Sequence, residues 1–346
     1  MKDITVLGID LAKNTLQLIG VDKHHKEVFK KRVSPQGLAT IATKLKPCLI
    51  LMEACGTSNH WGRTLTKLGH EVKLISPQHV TPYIGHHKND YKDTQGIIEA
   101  GTRPKTEFVA IKTLEQQDLQ SINRLRDRLV SNRISLSNQI RGLLLEYGIV
   151  ISKGMQPLKV TLAELLEKNN ESISVVLKEC LSDVYEEFKE LSKRIELYSK
   201  KIKLLCDNNE YCQLLQTIPG IGPIVASSLY AAVGNGSHYK NGRQMAASIG
   251  LVPKQYSSGD KQRLGGIIQM GNRILKALLI HGGRAVVNSA QKKTDKRSIW
   301  IQKLLLTKPY NVVSVAVANR IARMAWAILQ SGMPYNATGD MHHVKS

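Results

Sequence analysis

Two carboxylates stand at the ends of two apolar segments of this chain. Asp10 ends the run that begins at Ile4, and Glu53 ends the run that begins at Cys48. Both runs are typical of strands buried in a sheet, where an unpaired carboxylate is costly unless it meets a cation or a metal ion. The alternative for Asp10 is that it caps the turn at Ala12–Asn14. If the two strands are neighbours, their ends converge at one edge of the sheet, as active sites of α/β sheets do.

A second pair of acidic residues, Asp90 and Asp93, follows in the segment GHHKNDYKDTQGIIEAG at 85–101. On a helix, a spacing of three places both carboxylates on one face, about 5–6 Å apart. Together with Asp10 and Glu53 they would form a cluster of like charges, which a divalent cation must neutralise. Oxygen ligands favour Mg²⁺ or Mn²⁺ over zinc, and two such ions support in-line phosphodiester cleavage. The alternative is a pair of ordinary first-turn acids at a helix N-terminus.

Positive charge is concentrated in the last third of the chain. Between Lys240 and Lys308 there are fourteen Lys and Arg residues and two acidic residues. This region holds two adjacent serines, Ser257 and Ser258, in a predicted loop before Gly259. A serine hydroxyl there is placed as a phosphodiester nucleophile would be, because surrounding cations stabilise the phosphate under attack. The alternative is a plain polar loop, since no histidine base is adjacent in the sequence.

Glycines and cations of the second half are candidate contacts to nucleic acid. The segment LLQTIPGIGPIVASSLYAAV at 214–233 predicts a helix-hairpin-helix, whose turn glycines let backbone N–H groups approach a phosphate. The alternative is a tight connection between two helices, without a ligand. Together with the basic region, this turn gives a set of predicted nucleic-acid-binding residues: Gly220, Gly222, Arg243, Lys254, Lys261, Arg263, Arg273 and Lys276.

Charge and composition narrow the classes of protein. The 346 residues carry 49 Lys and Arg against 28 Asp and Glu, a formal net charge of +21, which predicts a polyanionic partner. Nucleic acid is favoured over a membrane, because no apolar run approaches the ~20 residues that span a bilayer. The acidic residue at position 3 is unlike a signal peptide, so a cytoplasmic protein is expected. The five cysteines show no zinc-ligand spacing and are predicted to be free thiols.

The elements that must position these residues follow from periodicity. A strand hairpin over Ile4–Asp22, a third strand over Glu27–Ser34, and strands ending at Ala54 and Ser76 alternate with helices, which predicts a mixed sheet with helices on its faces. A long helix is predicted from Leu114 to about 145. A second long helix has a heptad seam formed by Val184, Phe188, Leu191, Ile195, Tyr198, Ile202 and Leu205. These two helices could form an antiparallel hairpin or a dimerising coiled coil, and ordinary core-facing helices are the alternative.

Five motifs, in order along the chain, resemble one family. They are GIDLAK at 8–13, MEACGTSNHW at 52–61, KNDYKD at 88–93, IPGIG at 218–222 and IGLVPKQYSSG at 249–259. The chain from about residue 4 to 330 resembles the DEDD transposases of insertion sequences, the IS110 group related to the Piv-type invertases and known as bridge-RNA-guided recombinases. Thr94 departs from the family, which commonly has alanine there; a small residue should not disturb a metal site.

The resemblance implies a fold and a division of labour. The expected fold class is α/β plus α: a RuvC-like (RNase H-like) domain at 1–110, a helical coiled-coil spacer at 111–210, a mostly helical transposase domain at 211–332 and a polar tail at 333–346. By motif match, the catalytic and metal-binding tetrad is Asp10, Glu53, Asp90 and Asp93, with Mg²⁺ or Mn²⁺ as the cofactor. The nucleophile is Ser258, with Ser257 as the adjacent alternative.

The implied activity is RNA-guided recombination of an insertion sequence. The implied partners are donor and target DNA, a non-coding bridge RNA and further copies of the chain, as a dimer and as a tetramer on DNA. A bacterial, nucleoid-associated protein without a membrane partner is expected. Two other classes remain at this point: a RuvC-type Holliday junction resolvase or structure-specific nuclease, which needs the carboxylates but no serine, and a nucleic-acid-binding protein without catalysis.

Overall fold

The computed structural model describes residues 3–84, 89–167, 172–258 and 261–336. The chain divides into two compact units, Met1–Glu115 and Gln116–Ser346. The first unit is a mixed α/β sheet with helices, and the second is mostly helical, as the sequence predicts. The finer three-part division, with a spacer ending near residue 210, stays a prediction.

A six-stranded sheet with the order β3-β2-β1-β4-β5-β6 forms the centre of the first unit. Strand β1 pairs antiparallel with β2 and parallel with β4, β5 is parallel to β4, and β6 returns antiparallel on the outer edge. The two-residue β6 was not predicted. The strands are β1 Val6–Asp10, β2 Leu16–Val21, β3 Glu27–Val33, β4 Leu49–Glu53, β5 Glu71–Ile75 and β6 Phe108–Val109.

Helices cover both faces of this sheet. They are α1 Pro35–Lys44, α2 Ser58–Lys67, α3 Pro77–Val80 with a 3₁₀ turn at Thr81–Tyr83, and α4 Asp90–Thr102. Leu7 and Ile9 of β1 pack in a core with α1 and α2, whereas Val6 packs in a second core with Ile97 and Ile98 of α4. Because successive side chains of a strand alternate between faces, Gly8 and Asp10 share the α4 face with Val6.

Local sequence explains where these helices begin. Ser34 accepts a hydrogen bond from the backbone N–H of Gly37, and Pro35 takes the first helical position of α1, which needs no amide donor. In α2 the cap position is Thr57, and Ser58, the first helical residue, donates its hydroxyl to the Cys55 carbonyl.

The second unit contains nine helices and one hairpin among the residues that the structure describes. The helices are α5 Leu114–Leu145, α6 Met155–Leu165, α7 Val175–Asp207, α8 Glu210–Gln216, α9 Pro223–Val233, α10 Gly242–Ile249, α11 Arg273–Ala290, α12 Lys296–Leu305 and α13 Tyr310–Ser331. The hairpin consists of β7 Pro253–Ser258 and β8 Lys261–Ile267. Helix α6, which begins directly after Gly154, was not predicted.

The two long helices, α5 and α7, are antiparallel neighbours. Arg126 Nε donates to Ser199 Oγ at 2.8 Å, and Arg133, seven residues later, donates to Ser192, seven residues earlier. Phe188 of the predicted seam is fully buried between them, in a core that α6 also enters. The contacts therefore match the antiparallel hairpin, the first of the two arrangements that the heptad pattern allows.

A second core surrounds α13, which packs against α11, α10 and α8. Among the described helices, α13 alone is long and apolar enough to cross a membrane by length and composition, and 56% of that window is buried inside the protein. Val317, Ala318 and Ile321 are within 2% of complete burial. The apolar character of α13 is therefore explained by its position in the core.

Candidate functional site

Asp10 and Glu53 end neighbouring parallel strands. The register pairs Ile9 of β1 with Met52 of β4, so that Asp10 and Glu53 occupy the next position on each strand. Leu51, two residues before Glu53, packs in the core under α4. By strand alternation both carboxylates face the side of the sheet that α4 covers. The structure thus brings these two predicted residues to one sheet edge.

Helix α4 supplies Asp93 to the same face. The helix crosses β1 at Gly8, where a Cβ atom would lie 2.5 Å from Ile98 Cγ1 and 3.2 Å from the carbonyl oxygen of Thr94. Asp93 precedes Thr94 and is only 9% exposed. Its Oδ1 is buried and has no hydrogen-bond partner among the described residues. A buried carboxylate oxygen of this kind is costly unless a cation neutralises it.

Asp90, the fourth predicted ligand, is engaged elsewhere. Its Oδ2 accepts a charged hydrogen bond from Arg32 Nη2 at 2.5 Å, although both side chains are more than half exposed. The neighbouring Tyr91 donates to Glu27 Oε2 at 2.8 Å, and that hydrogen bond raises the pKa of Tyr91. Both partners lie on β3. The run of cations at 30–32 in β3 was the signal that could have identified Arg32.

The four carboxylates do not form a closed ligand cluster. Within the described ranges, no group of three or more His, Cys, Asp or Glu side chains is close enough to hold a metal ion. The donor set nevertheless fits a hard divalent cation, because it consists of carboxylate oxygens and includes the unpartnered Oδ1 of Asp93. Asp10, Glu53 and Asp93 are the residues that could hold such an ion without breaking the ion pair between Asp90 and Arg32.

The two serines lie in an exposed hairpin, not in the loop that was predicted. Ser258 is the last residue of β7 and pairs with Lys261 of β8. Successive strand residues face opposite sides. Ser257 accepts a hydrogen bond from Gln255 Nε2 at 2.9 Å, whereas Ser258 shares its face with Tyr256, which is 68% exposed. Gly259, Asp260 and the Lys261 side chain lie outside the described residues.

The predicted nucleic-acid contacts separate into two groups. Arg243, Lys254, Arg263 and Arg273 are exposed, which leaves their charges accessible to a polyanion. Lys276 differs, because its Nζ donates to the backbone carbonyls of Ile268 at 2.8 Å and Met270 at 3.1 Å. Its ammonium therefore fixes the segment between β8 and α11, a structural role that the sequence did not indicate.

The two glycines of the turn between α8 and α9 have different surroundings. Gly220 has a φ of +95°, and a Cβ there would meet Val286 Cγ2 at 2.8 Å and the Gly282 carbonyl at 2.9 Å. Close packing against α11 is thus one reason for glycine at this position. Gly222 is exposed, and a Cβ there would meet nothing within 4 Å. Of the two, Gly222 is the one open to a phosphate.

Family models match both parts of the chain. A DEDD transposase model of the IS110 type matches residues 7–149, and a model described as transposase of the IS116/IS110/IS902 family matches residues 212–298. These ranges contain all the predicted tetrad residues and both serines.

Full-length relatives carry matching names. The transposase for insertion sequence element IS1111A of Coxiella burnetii is 42% identical over 95% of this chain and 90% of its own length. A probable family 20 transposase of Pseudomonas aeruginosa is 40% identical over 94% of this chain and 97% of its own. The transposase for element IS1328 of Yersinia enterocolitica is 35% identical over 97% of this chain and 100% of its own.

Proposed function

The chain belongs to the IS116/IS110/IS902 family of insertion-sequence transposases, and we propose that it moves its element with a metal-binding carboxylate site and a serine nucleophile. One observation carries the proposal. Asp10 and Glu53 end adjacent parallel strands, and on the same face Asp93 has a buried oxygen to which none of the described residues donates a hydrogen bond. A sheet edge built in this way is suited to hold a cation against a phosphodiester.

The first unit is proposed to be RuvC-like. Support comes from its mixed sheet, in which an antiparallel meander of three strands continues into two parallel strands, and in which the neighbouring β1 and β4 both end in carboxylates. The spacer at 111–210 and the transposase domain at 211–332 then correspond to the α5–α7 hairpin region and to the helices around α13.

The carboxylates are the residues that would hold a divalent ion beside the reacting phosphate. Asp10, Glu53 and Asp93 would hold Mg²⁺ or Mn²⁺, with Asp90 as a further ligand if it leaves Arg32. When bound, the ion supplies Lewis-acid polarisation of the scissile phosphate. Arg32 supplies a positive charge beside this site, where negative charge grows as the phosphodiester is attacked.

Ser258 is the proposed nucleophile. Its Oγ forms a bond to phosphorus, the bond from phosphorus to a deoxyribose oxygen breaks, and the hydroxyl proton is given up while the leaving oxygen gains one. The phosphoserine link conserves the energy of the broken bond, so attack by another strand's hydroxyl reverses the step and joins new ends. Ser258 is favoured over Ser257 because the latter's hydroxyl is bonded to Gln255.

The proposed partners are donor DNA, target DNA and an element-encoded bridge RNA. The net charge of +21 supports contacts with several polyanions, and pairing with RNA would supply the choice of sequence. The serine and the tetrad lie in different units, so a dimer or tetramer on DNA, with one copy's serine meeting another's carboxylates, would complete the site. Sequencing of RNA that co-purifies from cells carrying the whole element tests the guide.

The experiment that tests the chemistry traps the covalent link. Wild type, Ser258→Ala, Ser257→Ala and Asp10→Asn proteins are incubated with element-end DNA, guide RNA and Mg²⁺, then denatured. A denaturant-resistant adduct is expected with wild type and Ser257→Ala only. A mixture of the Ser258 and Asp10 variants should regain cleavage if the site is shared between copies. Cleavage by Ser258→Ala without any adduct would instead identify a junction resolvase or nuclease, and DNA binding without cleavage in any sample would refute catalysis.

A further inference from the structure

A large groove runs along the second unit beside the β7–β8 hairpin. Its volume is about 1500 Å³, and its walls come from the start of α10, from β8, from α12 and from one face of α13. Pockets for small molecules usually have about 300–1,000 Å³. The groove is therefore larger than a small cofactor requires and suits an extended ligand.

The charged residues of the groove favour a negatively charged ligand. Four cations line it, namely Arg243 at the start of α10, Lys308 before α13, and Arg320 and Arg323 on α13. Among the described residues none that lines the groove is acidic, and α13 contains no Asp or Glu over its whole length. Positive charge along a concave wall raises the local concentration of polyanions.

An aromatic surface lies among these cations. The Arg320 guanidinium carbon is 4.8 Å from the ring centroid of Trp300, which is partly exposed in the groove. The other tryptophan of the lining, Trp326, donates its indole N–H to the Gly236 carbonyl at 3.2 Å and so fixes the wall. Asn319 likewise donates to the Leu251 carbonyl at 2.8 Å. Trp300, with the Arg320 guanidinium over its ring, is the pair of the lining against which a base could stack.

Cations that follow a backbone, combined with an aromatic face for bases, are the two parts of a single-strand site. In a duplex the bases are paired and stacked on each other, so an indole in a groove cannot reach their faces. We propose that this groove binds unpaired nucleotides, with a base stacked on the Trp300–Arg320 surface and phosphates held by Arg323 and Lys308.

The location gives this site a use in the reaction. Leu264–Ile267 of β8 line the groove, and the partner strand β7 ends at Ser258. An unpaired strand in the groove would thus be held along the same hairpin that carries the nucleophile. This use rests on the proposed function, whereas the binding itself does not.

The test measures equilibrium binding of the full-length protein in EDTA, where no metal-dependent cleavage occurs. The probes are fluorescein-labelled oligothymidine and oligouridine of about 12 nucleotides, within the range that single-strand grooves cover, and a duplex of equal length. Trp300→Leu, which keeps apolar bulk but removes the ring, should weaken single-strand binding about tenfold and duplex binding by less than about twofold. Arg320→Gln should weaken single-strand binding, and Arg323→Gln, which removes a phosphate contact, should also reduce its salt dependence by about one ion.

A matched pair of lysines controls for general electrostatics. Lys308→Gln, in the groove, should weaken single-strand binding more than Lys303→Gln, an exposed residue of α12 outside it. If the groove substitutions weaken binding of oligothymidine alone, the ligand is DNA, and if they weaken binding of oligouridine alone, it is RNA. If they weaken binding of both probes, the groove accepts either kind of single strand. Unchanged affinity in Arg320→Gln and Trp300→Leu, or equal losses for single strand and duplex, overturns the proposal. Circular dichroism checks folding, and Arg320→Gln decides the outcome if Trp300→Leu unfolds.

The result is separable from that of the covalent trap. Ser258→Ala should bind the single-strand probes as wild type does, whether or not wild type forms an adduct. A protein that forms an adduct but shows no effect of Trp300 or Arg320 substitution refutes the groove and leaves the serine chemistry intact.

Discussion

Replacement of Gly8 by alanine should push helix α4 off strand β1 and destabilise the first unit by about 1–3 kcal/mol, the usual cost of overpacking. The added Cβ would lie 2.5 Å from Ile98 Cγ1 and 2.9 Å from Ile98 Cδ1, whereas carbon atoms prefer about 3.5–4.0 Å. Ile98 is 7% exposed and is enclosed by the core under α4, so it has little room to turn away. The backbone carbonyl of Thr94, at 3.2 Å, must also move.

The shift has a functional consequence, because Thr94 follows Asp93. Movement of this turn away from the sheet takes the Asp93 carboxylate away from Asp10, two residues beyond Gly8. We therefore expect Gly8→Ala to lose DNA cleavage at temperatures where most of the protein is still folded.

Hydrogen exchange followed by mass spectrometry is the appropriate assay, since a chain with two compact units need not unfold in one step. Peptides from α4 and β1 should lose about 1–3 kcal/mol of protection, and peptides from α13 should be unchanged. Gly56→Ala is the matched control, because a Cβ at Gly56 meets nothing within 4 Å. Ile98→Ala removes both crowded side-chain atoms, so Gly8→Ala should cost much less in that background. Wild-type protection in Gly8→Ala, or an equal cost with and without Ile98→Ala, would refute this account of the packing.

Two further predictions concern Asp93 and Cys48. With EDTA, Asp93→Asn should unfold at the same temperature as wild type or higher, because an amide is cheaper to bury than a carboxylate oxygen without a donor. Excess Mg²⁺ should raise the unfolding temperature of wild type only; equal shifts would contradict a metal role for Asp93. Burial raises the pKa of Cys48 to about 11, so at neutral pH its thiol should react far more slowly with iodoacetamide than that of the exposed Cys180. Equal labelling of the two cysteines would contradict this effect of burial. Because the pKa of Cys48 is higher in the folded state, its contribution to stability is complete below pH 9 and is lost as pH rises towards about 11.

Elements with a strong local pattern could be predicted from the sequence. The apolar strands that end at Asp10 and Glu53, the start of α1 at Pro35, and the two long helices all follow from periodicity and capping. The adjacency of Asp10 and Glu53 was expected only on the condition that their strands are neighbours, a condition set by the sheet order.

The failures have identifiable physical causes. Tyr256 is the one large apolar side chain of β7, and the apolar residues of β8, Leu264 and Ile267, are three positions apart, so the hairpin has no apolar alternation to reveal it. Helix α6 was hidden by Pro157, which is tolerated in the first turn of a helix because its missing N–H has no partner there. The ion pair of Asp90 with Arg32 joins residues 58 positions apart, and no local pattern encodes such a contact. The same holds for the packing of Gly220 against Gly282.

The seven-residue spacing of the Arg126–Ser199 and Arg133–Ser192 contacts constrains how this hairpin can change in evolution. One residue inserted in α5 turns everything beyond it by about 100°, which would carry Leu136 and Ile140 out of the core they share with Phe188. An insertion of seven residues restores the orientation of the following side chains almost completely and lengthens the helix by about 10 Å. Natural length variants of the α5–α7 hairpin should therefore differ by whole heptads added to both helices, while single-residue insertions collect in the connection at 146–154.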